Sequence, residues 1–186
     1  MTTSLNNLQQ LLADRSARRG KFTLSSGRES TLYIDARLTT MSPEGLILIG
    51  ELALDALETS GWNVESVGGL TLGADPVAYA IAYTSARRRA RLIRAFTVRK
   101  EAKAHGTGQL IEGPFANGDR VAIVEDVITT GGSALKAAAA VQAAGGVVKG
   151  VLAVIDRDEG GREAIEAAGF PVVALMKADT IVARMP

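Results

Sequence analysis

The chain has 186 residues, enough for one ordinary domain with a full core, and its 47% hydrophobic and 22% charged residues exclude a disordered or fibrous protein. Lysine plus arginine (21) nearly balances aspartate plus glutamate (20), so bulk charge points to neither a nucleic-acid nor a membrane partner, and any anion site must be local. With no cysteine, no continuous apolar signal core in "MTTSLNNLQQLLADRSARRG" and no apolar run long enough to cross a bilayer, disulfides and thiolate metal sites are excluded and a cytoplasmic protein is expected.

In chain order, Leu5, Leu8, Leu11 and Leu12 share one helical face behind a possible Ser4 cap, which predicts an amphipathic helix ending near Gly20. "KFTLSS" and "STLYIDA" read as two short strands around a turn at Gly27, a small cap built before the main sheet. From Pro43 a helix carries Leu46, Ile47, Ile49, Leu52, Ala53, Ala56 and Leu57 inward, with Pro43 suited to the first turn and Gly61 to the stop. Strands over 66–69, 92–98, 121–125, 148–155 and 172–176 then alternate with helices near 75–86, 133–144 and 162–168. Aromatics are only 4% of the chain, so the core rests on Val, Ile, Leu and Ala. Alternation with nearly continuous apolar strands predicts an α/β fold whose parallel sheet is covered on both faces. Residues 99–120, "RKEAKAHGTGQLIEGPFANGDR", form an unusually long connection of the kind used for lids and binding loops.

Within residues 121–141, "VAIVEDVITTGGSALKAAAAV", an apolar run gives way to two acids, a polar glycine-containing turn and an alanine-rich helix. Ligands of open α/β sheets bind beyond the carboxyl ends of the strands, where Glu125 and Asp126 are expected. Thr129, Thr130, Gly131, Gly132 and Ser133 offer hydroxyls and approachable amides at the start of a helix, a ready phosphate cradle. Carboxylates repel phosphate and suit hydroxyls or a cation, so a sugar phosphate satisfies both halves. The turn matches neither the GxxxxGK[ST] nor the GxGxxG pattern, which argues against an ordinary NTPase or dehydrogenase. Taken alone, it is also compatible with acids that end a strand and a Ser133 that caps a helix.

The apolar–acidic-pair–"TTG" pattern resembles the phosphoribosyl-pyrophosphate (PRPP) motif of the type I phosphoribosyltransferases. "RKEAKAHG" resembles the mobile catalytic loop of the orotate phosphoribosyltransferases, and "FTLSSGRES", "GGLTLGADP" and "IDRDEGG" also match that family, so the resemblance spans nearly the whole chain. It implies a phosphoribosyltransferase fold over residues 1–186, with about 1–40 forming part of a hood over the base site. Thr129, Thr130, Gly131, Gly132 and Ser133 would hold the 5′-phosphate, Glu125 and Asp126 the ribose hydroxyls, with Val127 and Ile128 inside the same PRPP motif. Arg99, Lys100, Lys103 and His105 would surround the pyrophosphate, and Lys103, His105 and Asp126 would be catalytic. In the family the loop lysine and histidine act across a homodimer interface, which carries over to Lys103 and His105.

Arg157 follows the strand at 148–155, and its guanidinium fork fits the orotate carboxylate; with Thr129 it is the expected orotate site. A surface ion pair with Asp156 or Asp158 is the plainer use of that arginine. Tyr33 and Ile34 align with positions that cover the base, or serve only as core. Mg²⁺ is expected on the pyrophosphate and ribose oxygens, with no protein metal ligand. Two family lysines are absent: Ser25 stands within "TLSSG" and Leu72 within the pyrophosphate loop at 69–74, which would then work through backbone amides.

The resemblance implies transfer of ribose 5-phosphate from PRPP to orotate in pyrimidine synthesis. A transferase for another base, such as a purine, is the enzyme alternative, and Arg157 argues against it because a purine has no carboxylate. A PRPP-binding regulatory protein of RNA or DNA is the non-enzyme alternative, against which the complete basic loop argues. The run "SARRRARLIR" reads as a solvated loop or a dimer-edge contact in preference to a nucleic-acid site.

Overall fold

The computed structural model describes residues 2–23, 29–88, 91–101 and 110–185. Helix α1 (Thr2–Arg15) buries Leu8 and Leu12. It stops short of Gly20, because buried Ala17 already pairs with Ile34 in the antiparallel hairpin of β1 (Ala17–Thr23) and β2 (Glu29–Ile34). A short α2 (Arg37–Thr40), not expected from the sequence, leads to α3 (Pro43–Ser60). The Ser42 hydroxyl caps α3 by accepting from the Gly45 amide at 3.1 Å, and Gly61 closes it at φ 70°.

Then follow β3 (Ser66–Leu70), α4 (Ala74–Arg87), β4 (Arg94–Val98), β5 (Ile111–Glu112), β6 (Arg120–Ile128), α5 (Gly132–Ala143), β7 (Val147–Asp156), α6 (Gly161–Ala167), β8 (Val172–Lys177) and α7 (Ala178–Val182). The six strands β3–β8 order as β5-β4-β3-β6-β7-β8. All neighbours are parallel except the β4–β5 pair. The mostly parallel α/β sheet expected from the sequence is therefore present.

Strand alternation sends neighbouring residues to opposite faces. Ala122, Val124, Leu152 and Val154 join α1, α3 and α4 in one core; Val121, Ile123, Val151 and Ala153 join α5 and α6 in the other. Ile47, expected inward, is 57% exposed, whereas Leu54 is buried in its place on the core face of α3. Exposed Leu92 precedes β4 instead of opening it.

The acid pair does not end its strand. β6 runs on to Ile128 and keeps pairing with β7, Val127 with Ile155 and Ile128 with Asp156, because Val127 and Ile128 continue the ladder beyond the acids. Parallel strands bring the segments after Leu70, Val98, Ile128 and Asp156 to one edge of the sheet, and the β2–α2 connection lies over it.

Candidate active site

At that edge opens a cleft of about 900 Å³. Glu125, Asp126, Val127, Thr129, Thr130 and Ser133 line it from β6 and the turn after it, and Arg157 and Glu159 from the turn after β7. Tyr33, Ile34, Asp35 and Arg37 line it from the hairpin side, and Thr71, Leu72 and Gly73 from the turn after β3.

Glu125 is 6% exposed, and its Oε1 is buried with no hydrogen-bond partner among the described residues. Burial first, and then the neighbouring Asp126 charge, pushes its carboxyl from the ordinary 4.5 up to about 8. At neutral pH it therefore carries a proton, and it can both donate to and accept from a hydroxyl. Asp126 is also raised by burial, but the Val127 amide donates to its Oδ1 at 2.9 Å, and Arg37 lowers it further. Two adjacent carboxyl groups thus differ in character.

The turn that follows is shaped by glycine. Gly131 takes φ 79°, and a Cβ there would lie 2.8 Å from the Gly161 carbonyl oxygen. Gly132 opens α5, and no side chain caps the helix, so Ser133 is not its cap. The first-turn amides of a helix lack intrahelical partners and present a positive end. Here they sit beside the Thr129, Thr130 and Ser133 side chains at the cleft, a geometry suited to phosphate. Ile128 and Gly131 border a small recess beneath this turn together with Glu125.

Lys100 reaches the cleft, and its carbonyl accepts from Lys136 Nζ of α5 at 2.7 Å, which ties down the start of the following loop. Arg99 does not line the cleft; its guanidinium faces Glu112 at 3.7 Å. Lys103, His105 and Ser25 lie outside the described residues. Arg157 pairs with Glu159 at 2.8 Å. Asp156 is held by Arg162 at 2.8 Å and Asp158 by Lys177 at 3.1 Å.

Behind the turn after β3, buried Asp75 accepts from the hydroxyls of Thr71 at 2.7 Å and Thr97 at 2.8 Å, locking the loop onto β4. A Cβ on Gly73 would come within 2.5 Å of Asp126 Oδ1, so this backbone packs directly on the acid pair. Tyr33 stacks on Phe22 with ring centroids 5.3 Å apart. Sequence reasoning missed Asp35, Arg37 and Glu159. Charge within "YIDAR" was the available signal, but only the fold carries it to the sheet edge.

Within the basic run near 85–94, Arg88 pairs with Asp55 and Arg94 with Asp119 at 2.5 Å. Among the described residues no helix is long and apolar enough to cross a membrane.

No family model matches the chain. The orotate phosphoribosyltransferase of Aquifex aeolicus (strain VF5) is 50% identical over 156 residues, 84% of each chain. That of Mycobacterium tuberculosis (strain H37Rv) is 51% identical over 163 residues, 88% of each chain. The crystal structure of M. tuberculosis H37Rv orotate phosphoribosyltransferase in complex with 5-phospho-alpha-D-ribosyl 1-diphosphate (PRPP) matches with a TM-score of 0.80 and 43% identity, covering 96% of this chain and 99% of that one.

Proposed function

The chain belongs to the orotate phosphoribosyltransferase family, and from that premise we propose that its cleft transfers ribose 5-phosphate from PRPP to orotate, giving orotidine 5′-phosphate and pyrophosphate in the synthesis of UMP. The observation that carries this reading is the acid pair of β6 joined to a glycine-shaped helix N-terminus in the cleft that also holds Arg157.

In this reading residues 1–186 form one catalytic domain, with the β1–β2 hairpin part of a hood over the base. The amides and hydroxyls of residues 129–133 hold the 5′-phosphate. Glu125, with a proton to donate, and Asp126, which already accepts from the Val127 amide, meet the ribose hydroxyls. As the C1–oxygen bond breaks, its electron pair leaves with the diphosphate and positive charge builds on the ribose, where Asp126 lowers its energy. An orotate ring nitrogen bonds to C1 from the opposite side and gives up its proton to the departing diphosphate, with the base carboxylate on Arg157 beside Thr129 and its ring under Tyr33 and Ile34. The chain supplies position and charge, with no covalent enzyme intermediate.

Lys100 faces the diphosphate directly; Arg99 reaches it only by leaving Glu112. Lys103 and His105 complete the cationic loop from the neighbouring subunit of a homodimer. An exposed apolar groove of about 410 Å³ between α3 and α4, lined by Leu46, Ile47, Tyr79 and Tyr83, supports a subunit contact and gives exposed Ile47 a use. The acids of the cleft offer oxygen donors of the kind a hard cation takes, and Mg²⁺ would arrive on PRPP, where it needs few protein ligands of its own. Bound there, it would supply positive charge to the leaving diphosphate. A cytoplasmic location belongs to the same reading.

Purified protein with PRPP and Mg²⁺ should release pyrophosphate only when orotate is added. Release independent of orotate, or none, overturns the proposal.

A further inference from the structure

Three cations line the described part of the cleft: Lys100, Arg157 and Arg37. Arg157 is drawn to Glu159 on the side of Thr129. The turn at 71–73 brings no cation of its own, and its Leu72 side chain is 54% exposed. A substrate with a diphosphate at one end would meet a charge deficit there unless another element supplies it.

Arg37 is placed to do so. It stands at the start of α2, where the hairpin crosses the sheet edge, and it lies close enough to Asp126 for the two charges to stabilise each other. Gly73 packs on that same carboxylate. Arg37, the 71–73 turn and Asp126 therefore line one cleft, with the turn packed directly on the Asp126 carboxylate.

The guanidinium is also aimed. Asp35 accepts from Nε at 2.8 Å and from Nη2 at 3.0 Å, a two-pronged ion pair that fixes the plane of the fork. Among the described residues Nη1 has no hydrogen-bond partner, and the side chain is about half exposed toward the cleft.

We propose that Arg37, oriented by Asp35, is a PRPP-binding residue that donates from Nη1 to the diphosphate and supplies the cation which the 71–73 turn lacks. Asp35 is the positioning residue. The proposal rests on the PRPP reading of the cleft, but not on orotate being the acceptor.

The test uses the full chain and measures both direct PRPP·Mg²⁺ binding by calorimetry and steady-state kinetics. In Arg37→Gln the PRPP Kd and KM should rise about ten-fold or more, the worth of one charge-assisted hydrogen bond, while the orotate KM stays within about two-fold. Asp35→Asn should shift PRPP in the same direction by less. A cation returned from the other side of the site, in the Arg37→Gln/Leu72→Lys double variant, should recover most of the PRPP affinity, which a merely structural loss would not allow. Unchanged PRPP binding in Arg37→Gln, equal weakening of orotate, or no recovery in the double variant overturns the proposal. Wild-type protein that binds PRPP but does not use orotate would instead overturn the acceptor assignment, and the Kd comparison would still decide Arg37.

Discussion

Arg157 joins Glu159 at 2.8 Å, and the same guanidinium reaches the Leu32 carbonyl at 3.4 Å, so one 8%-exposed fork links the edge of β7 to the hairpin above it. A planar fork holds its donors in one fixed geometry that matches a carboxylate, whereas an ammonium on a flexible stem is a compact charge with three rotatable donors. Arg157→Lys should therefore keep the charge and lose the site, raising the orotate KM by about ten-fold or more with little change for PRPP. Steady-state kinetics with each substrate varied in turn checks this; equal loss for both substrates would assign Arg157 to general folding.

The Glu125 carboxyl sits at about 8 in the fold against an ordinary 4.5. Between those values the folded chain binds more protons than the unfolded one, so this contribution is fully present below 4.5 and is lost as pH rises through 8. Glu125→Gln keeps the shape without the proton and should flatten that loss. Thermal unfolding at about pH 6 and about pH 9 should show the wild type losing more Tm than the variant; parallel losses would contradict the neutral Glu125.

Gly131 is the tightest point of the turn at 129–133. Gly131→Ala forces a side chain into a left-handed conformation, at about 1–2 kcal/mol, and sets it against the Gly161 carbonyl. The variant should unfold several degrees below wild type and bind PRPP more weakly, as scanning calorimetry and PRPP titration would show. Unchanged PRPP affinity would detach the turn from the 5′-phosphate.

The proposed sharing of sites between subunits makes a mixing prediction. Lys103→Ala and Asp126→Asn proteins, each inactive alone, should regain activity when mixed, because a hybrid dimer holds one site with both groups intact. Ile47→Glu and Tyr83→Glu, which place charge in the apolar groove, should yield folded monomers with little activity by sizing chromatography and assay. No rescue, or fully active monomers, would contradict catalysis across the interface.

The sheet was legible because its buried parallel strands read as apolar runs between amphipathic helices. The limits of β6 were not: Glu125 and Asp126 look like a strand end, yet backbone pairing with β7 carries the strand on to Ile128. The glycine-shaped entry to α5 at 129–133 could be read because its residue types and their order act locally. Ion-pair partners could not. Arg157 is adjacent to two aspartates in sequence, but buried Asp156 points to Arg162 and Asp158 to Lys177, which leaves Glu159. The Asp35–Arg37 pair was hidden for a related reason: only the crossing of the hairpin over the sheet edge makes this pair part of the cleft.

The most direct measurement is pyrophosphate release by wild-type protein with PRPP, Mg²⁺ and, separately, orotate, uracil, adenine and hypoxanthine. Release should occur with orotate alone and should yield orotidine 5′-phosphate. Turnover with a purine in place of orotate, or binding of PRPP without any transfer, would contradict the assignment.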